Sequence, residues 1–235
     1  MTRIAVLADI HGNADALEPV LRAAGDAGAT RVVVLGDLVG YYYEPARVLD
    51  LLAAWPSTII RGNHEELLGV WLAGDDTTRE IMRAQYGSGF GACESDLSTS
   101  TLSWLRQLPH PYRTEVGGSE ALFSHGHPAA IDRYVYPDSV EGALSENEVD
   151  GAGIVWLAHT HYPIDATSAG VRICNPGSVG QPRDRDPRAS WALWEPAAGK
   201  VTWHRTPYDQ SALLREIAKR DPDVRYPSDV LTRTT

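Results

Sequence analysis

The chain has 235 residues, 43% hydrophobic and 22% charged, which suits one globular domain with enough chain to bury a core and excludes a disordered or fibrous architecture. Its formal net charge of −10 argues against indiscriminate binding to a phosphate backbone and against a polybasic membrane anchor. Cys93 and Cys174 form no CxxC pair and the apolar run at residues 4–8 is too short for a signal-peptide core, so a cytoplasmic protein is expected.

Residues 4–8 predict a buried strand that ends at Asp9-Ile10-His11-Gly12-Asn13. Asn13 then reads as a helix N-cap, because Leu17, Val20, Leu21 and Ala24 recur behind it at helical spacing. A second β-rich run, 31–35, ends at Gly36-Asp37; a helix is expected over 44–53 and a strand over 58–61, and Gly62-Asn63-His64-Glu65 turns into a further helix. This βαβαβα alternation predicts an α/β fold with strands layered between helices. Residues 67–108 read as helical, broken by the glycine-rich 87–91, with Trp71, Phe90 and Trp104 as the small core of an insert. The second half is strand-like. Residues 121–123 end at Ser124-His125-Gly126-His127, and 154–157 end at His159-Thr160-His161. Residues 171–174 lead into Asn175-Pro176-Gly177-Ser178, and 191–194 pairs with 201–204 around Gly199. A helix over 211–219 closes a single domain of residues 1–220, and the polar residues 221–235 are expected to be a loose tail.

The apolar strands end on clusters of Asp, His, Asn and Gly, which is where ligands bind in open α/β sheets. Six of the eight histidines, His11, His64, His125, His127, His159 and His161, fall in these clusters, so the strand ends predict one shared site. Asp9 and His11, like His159 and His161, stand two apart and can leave a strand end on the same side. Mixed carboxylate and imidazole donors suit Mn, Fe or Zn better than Ca or Mg. Asp9, His11, Asp37, Asn63, His125, His159 and His161 offer enough ligands for two divalent ions if Asp37 bridges them.

Asp9-Ile10-His11, Gly36-Asp37, Gly62-Asn63-His64-Glu65, His125-Gly126 and Ala158-His159-Thr160-His161 resemble, in order, the motif blocks of the calcineurin-like metallophosphoesterases. The stretch from Asn175 to Asp184, with Asp186-Pro187-Arg188, is similar to the small bacterial and archaeal phosphodiesterase branch often labelled diadenosine tetraphosphatase-like. The resemblance implies a four-layer α/β/β/α sandwich holding two divalent metal ions, Mn foremost, with Fe or Zn as alternatives. It implies Asp9, His11 and His161 on the first ion, Asn63, His125 and His159 on the second, and Asp37 between them. His64 matches the catalytic histidine, which contacts the phosphoryl group or protonates the leaving oxygen. The implied activity is hydrolysis of phosphodiester or nucleotide phosphoester bonds through a metal-bridging hydroxide. One position departs from the pattern: many relatives carry an Asp three residues after the bridging one, where this chain has Gly40.

Around that core, Asn13 and Asn63 begin helices whose free N–H groups can face an anion. Tyr41, in the run Tyr41-Tyr42-Tyr43, is a candidate stacking surface for a nucleobase, and Arg183 a candidate phosphate contact, although both also suit plain loop packing or surface ion pairs. Glu65 reads as a first-turn helix acid and His127 as a solvated or supporting group. The expected partner is a small phosphoester or nucleotide, with neither stable nucleic-acid binding nor a membrane. A non-catalytic scaffold of the same fold, a nuclease and a protein phosphatase are the competing readings. The complete ligand set with His64 disfavours the first, the acidic charge the second, and the insert the third.

Overall fold

A computed structural model describes residues 2–234; Met1 and Thr235, the outer ends of the expected domain and tail, lie outside the described residues. The first half alternates as expected: β1 (Ile4–Leu7), α1 (Ala14–Asp26), β2 (Arg31–Val34), α2 (Pro45–Ala53), β3 (Ser57–Ile59) and α3 (Asn63–Ala73). Asn13 caps α1 by accepting the Ala16 N–H at 3.0 Å. Three further helices follow, α4 (Asp76–Tyr86), α5 (Gly89–Asp96) and α6 (Thr99–Gln107). Asp75 and Ser98 cap the first and last of these.

The second half contains β4 (Tyr112–Val116), β5 (Ser119–Phe123), the short α7 (Glu146–Val149), β6 (Ile154–Trp156), β7 (Pro163–Ser168) and β8 (Val171–Pro176). The chain closes with the hairpin β9 (Ala189–Glu195) and β10 (Lys200–Thr206), then α8 (Ser211–Arg220) and α9 (Tyr226–Thr232). The described strands form two five-stranded sheets, ordered β10-β9-β1-β2-β3 and β4-β5-β6-β8-β7. Parallel pairing of β1 with β2 and β2 with β3, and of β5 with β6 and β6 with β8, brings the carboxyl ends of the site-bearing strands to one rim.

Side-chain alternation builds the layers. Val6, Val33, Leu35, Phe123, Trp156, Cys174 and Trp194 fill the space between the two sheets. Ala5, Leu7, Val32 and Val34 face the opposite way, onto α1 and α2. On the outer face of the second sheet, Leu122, Val155, Leu157 and Ile173 are covered by Val135, Val140, Leu144 and Val149. The expected sandwich is present, although its fourth layer is mostly loop with the single turn of α7.

Three sequence expectations change. The helices at 67–108 have no separate small core: Trp71, Met82, Phe90 and Leu105 join the same apolar cluster as Leu17 and Val34. Trp104 is exposed rather than buried. The segment expected to be loose instead forms α9, because Val230 and Leu231 bury against Tyr41, Tyr42 and Tyr43, while Tyr42 Oη donates to the Pro227 carbonyl at 3.0 Å. Cys93 and Cys174 are both free and buried, and no described helix is long and apolar enough to cross a membrane.

If α9 is part of the folded core, Leu231→Ala should lower the unfolding free energy by about 2–4 kcal/mol in urea denaturation. A loss under about 0.5 kcal/mol, the range of ordinary surface changes, would mean that the segment is only loosely attached.

Candidate metal centre

The strand ends turn sharply to aim their side chains inward. Eight described non-glycine residues have positive φ, and six of them, Asp9, His11, Asp37, Tyr41, His159 and His161, lie at this rim. Left-handed backbone is unfavourable for such residues and survives only where the surroundings hold it. Here the loops are stitched together: the N–H groups of Ile10 and His11 both donate to the Asp37 carbonyl, and those of Val179 and Gly180 to the carbonyls of Ala8 and Asp9. Ser178 Oγ adds a bond to the Asp9 carbonyl at 2.8 Å. Asn175 Nδ2 ties down the Ala158 carbonyl and Thr160 Oγ1 beside the paired histidines.

Two buried donor groups result, Asp9–His11–His161 and Asp37–His125–His159, with His64 close to His11 and Asp37. Asp37 lies between them, its Oδ2 at 3.6 Å from His11 Nε2 and 3.3 Å from His125 Nε2. Its other oxygen accepts the His64 backbone N–H at 2.8 Å. Asn63 Oδ1 is 3.0 Å from His125 Nε2, so the residue joins the second group.

Outward hydrogen bonds fix which nitrogen of each ring faces inward. His11, His125 and His161 donate Nδ1–H to the carbonyls of Val39, Leu35 and Gln181, at 3.2, 2.7 and 2.6 Å. His159 donates from Nε2 to the Asp132 carbonyl at 3.0 Å. A carbonyl only accepts, so each ring, when neutral, turns its remaining lone pair toward the centre. His11 Nε2 and His161 Nε2 are then two acceptors 3.3 Å apart. Both carboxylate oxygens of fully buried Asp9 lack a hydrogen-bond partner among the described residues. Converging lone pairs with unpartnered carboxylate oxygens fit a bound divalent cation.

Electrostatics agree with that fit. Burial, reinforced by Asp37, pushes the Asp9 carboxyl up to about 8. Burial acts on His125 in the opposite sense to Asp37, which prevails and raises it to about 9. Asp37 is held well below the usual carboxylate range: burial opposes this, but His125 and His64 prevail. Burial, with nearby positive charge, lowers His11 and His161 well below the imidazole range and brings His64 and His159 to about 4.

Glu65 does more than favour a helix start. Fully buried, it accepts the N–H groups of Asp37, Leu38 and Gly62 at 2.9, 2.8 and 2.7 Å, clamping the Asp37 loop to the start of α3. Gly62 is required there, since a Cβ would collide with Asp37. At Gly40 a Cβ would collide with His64 Nδ1, which has no partner among the described residues. A side chain at 40 therefore cannot orient His64 in this arrangement. Packing does so instead, with Phe90 stacked at 5.5 Å and Tyr41 tilted at 4.9 Å.

The weaker site expectations sort differently. Asn13 does not face the centre: Oδ1 caps α1, and Nδ2 donates to the Gly180 carbonyl and Tyr208 Oη. With every polar atom engaged, it holds loops rather than substrate. Tyr41 does reach the site, beside His11 and His64, but is almost wholly covered; Tyr42 and Tyr43 are packing residues bonded to Pro227 and Asp221. His127 lies apart, bonded to the Ala143 carbonyl and near Glu148. Arg188 pairs with Asp186 and Arg205 with Asp184, which leaves Arg183 free to turn inward. Tyr86, Tyr134 and Tyr226, which complete the rim, carry no local sequence signal because they come from three distant segments.

The family model described as the calcineurin-like phosphoesterase superfamily domain matches residues 2–198. Phosphodiesterase YfcE of Escherichia coli is 25% identical over 204 residues, covering 82% of this chain and 87% of its own. A metallophosphoesterase structure from Sphaerobacter thermophilus is 29% identical with a TM-score of 0.77, covering 100% of this chain and 99% of its own. A hypothetical protein of Pyrococcus horikoshii shares the fold at a TM-score of 0.84 and 24% identity, again over 100% and 99% of the two chains.

Asp9 and His125 are both raised, so they hold protons more tightly than free side chains, and an incoming cation must displace those protons. Affinity for Mn should therefore fall on acidification, by up to about tenfold per pH unit for each proton released. Calorimetry in two buffers of different ionisation enthalpy should find about one or two protons released; pH-independent binding without release would contradict the site's electrostatics.

Proposed function

Because the chain belongs to the calcineurin-like phosphoesterase superfamily, we propose that it is a binuclear-metal-dependent hydrolase of phosphodiester or nucleotide phosphoester bonds in small molecules. The observation that carries this reading is the position of Asp37, one oxygen set between His11 and His125 and so between the two donor groups. Asp9, His11 and His161 would hold one cation and Asn63, His125 and His159 the other, with Asp37 touching both. Bound there, two divalent ions, Mn foremost, would supply Lewis acidity toward the phosphoryl group and make water more acidic.

The chain's own residues do the rest. Carbonyl partners on the outer ring nitrogens hold the imidazoles in register, and Glu65 keeps the Asp37 loop from moving. His64 is held neutral by burial and stacked in an aromatic frame, so it acts by donating an N–H to the phosphoryl or leaving oxygen. Tyr86 and Phe90, from α4 and α5, pack against its ring, so the helices after α3 form one wall of the site. The acidic surface suits a small substrate over a polynucleotide. Two free buried cysteines agree with a cytoplasmic setting.

The test is to strip the protein of metal, reload it with Mn, and assay bis-p-nitrophenyl phosphate beside p-nitrophenyl phosphate and a dinucleoside polyphosphate. Metal-dependent turnover of the diester supports the reading; loss of metal binding and turnover together would favour a scaffold. Asp37→Asn should lower turnover at least about a hundredfold and deplete metal, whereas His64→Ala should keep both ions and lose about a hundredfold or more in kcat. Full activity of Asp37→Asn with both ions present would remove the bridging assignment, and loss of metal in His64→Ala would make His64 a ligand.

A further inference from the structure

Arg183 is mostly buried, yet it has no ion pair and its Nε no hydrogen-bond partner among the described residues. Its polar contacts are with neutral groups: Nη2 lies 3.4 Å from Gln181 Oε1, and the guanidinium hydrogen-bonds the Tyr226 side chain. The acidic neighbours that could neutralise it are taken: Asp184 pairs with Arg205, and Asp186 with Arg188 and Arg205. It adjoins the centre through aromatic rings, since Tyr226 packs against both it and Tyr41, and Tyr41 packs against His11 and His64 at 4.9 Å. With cations on Asp9 and Asp37, this guanidinium would have no carboxylate left to it. A buried cation in that position calls for an anion, and guanidinium matches a phosphoryl group with two hydrogen bonds.

The guanidinium is held in place by a part of the chain beyond the family-wide match. Tyr226, on α9, lies under it at 5.9 Å and donates to the same Gln181 Oε1 at 3.3 Å. Tyr41 packs against Tyr226 at 5.6 Å.

Tyr134 lies on the other side of the centre, its ring stacked on His159 at 4.1 Å and 17° and on Tyr136 at 5.2 Å and 12°. Unlike Tyr41, these two rings are open, at 45% and 38% exposure. An aromatic column thus runs from His159, in the donor cluster, out to solvent.

We propose that Arg183 binds a non-bridging oxygen of the scissile phosphate and that the open Tyr134–Tyr136 pair receives an aromatic group esterified to it, so that the substrates are aryl or nucleobase-bearing phosphodiesters. This rests on the hydrolytic reading above. Base–aromatic stacking tolerates any base, so the pair selects for an aromatic group rather than for one sequence or nucleotide.

Binding and turnover test it separately on the Mn-loaded protein. By calorimetry, thymidine 5′-phosphate should bind about tenfold tighter than methyl phosphate, and Tyr136→Ala should narrow the ratio to about threefold or less. Arg183→Ala should weaken inorganic phosphate about tenfold or more, with Arg183→Lys recovering part of the loss. In turnover, p-nitrophenyl thymidine 5′-phosphate, which keeps a thymine on the phosphorus when nitrophenolate leaves, should exceed methyl p-nitrophenyl phosphate, which keeps only a methyl group, in kcat/KM by about tenfold. Phosphate affinity unchanged in Arg183→Ala, or a ligand ratio that Tyr136→Ala does not move, overturns the proposal. Binding that follows these expectations without cleavage of either ester supports the recognition site and overturns the hydrolytic reading instead.

Discussion

The structure turns on a problem of unmatched acceptors. Asp9 is buried with neither oxygen satisfied, His11 Nε2 and His161 Nε2 face each other across 3.3 Å, and Asp37 is wedged between that same His11 nitrogen and His125 Nε2. In a low-dielectric interior such an assembly is unfavourable unless protons or cations occupy it. Burial and the Asp37 charge raise Asp9, Asp37 raises His125, and the imidazoles lower Asp37, so the group favours uptake of positive charge. The fold holds the donors converged all the same.

Holding them converged takes strain, and the strain is distributed. Six rim residues sit in left-handed backbone, and Asp9, His11 and Asp37 among them are restrained by hydrogen bonds to neighbouring loops. Glu65 is the clearest case. Its carboxylate gathers three N–H groups from two loops, so the register of Asp37 depends on the start of α3. The missing side chain at Gly40 belongs to the same logic: the backbone approaches His64 so closely that aromatic contacts replace a polar partner.

Much of this was legible in the sequence, for a physical reason. Parallel strands buried on both faces read as apolar runs, and their carboxyl ends announce themselves when His and Asp follow at once, as at Asp9, Asp37 and His159. What escaped was whatever depends on long-range contact. β4 and β7 are edge strands with polar, half-exposed sequences and so give little signal. α9 looks too polar to fold because few apolar residues, chiefly Val230 and Leu231, anchor it, and the surface they need comes from Tyr41 to Tyr43. Asn13 was visible as a cap, but its second role, bonding Gly180 and Tyr208, excludes it from substrate contact and is invisible locally. The inward turn of Arg183 follows from Asp184 choosing Arg205, a choice made 21 residues away.

In the function proposed above, these acceptors form two adjoining cation sites sharing Asp37. Anomalous diffraction from crystals grown with Mn is the decisive test. Two peaks are expected, one against Asp9, His11 and His161 and one against Asn63, His125 and His159, with the Asp37 carboxylate touching both. A single peak, or ions bound away from Asp37, would contradict it.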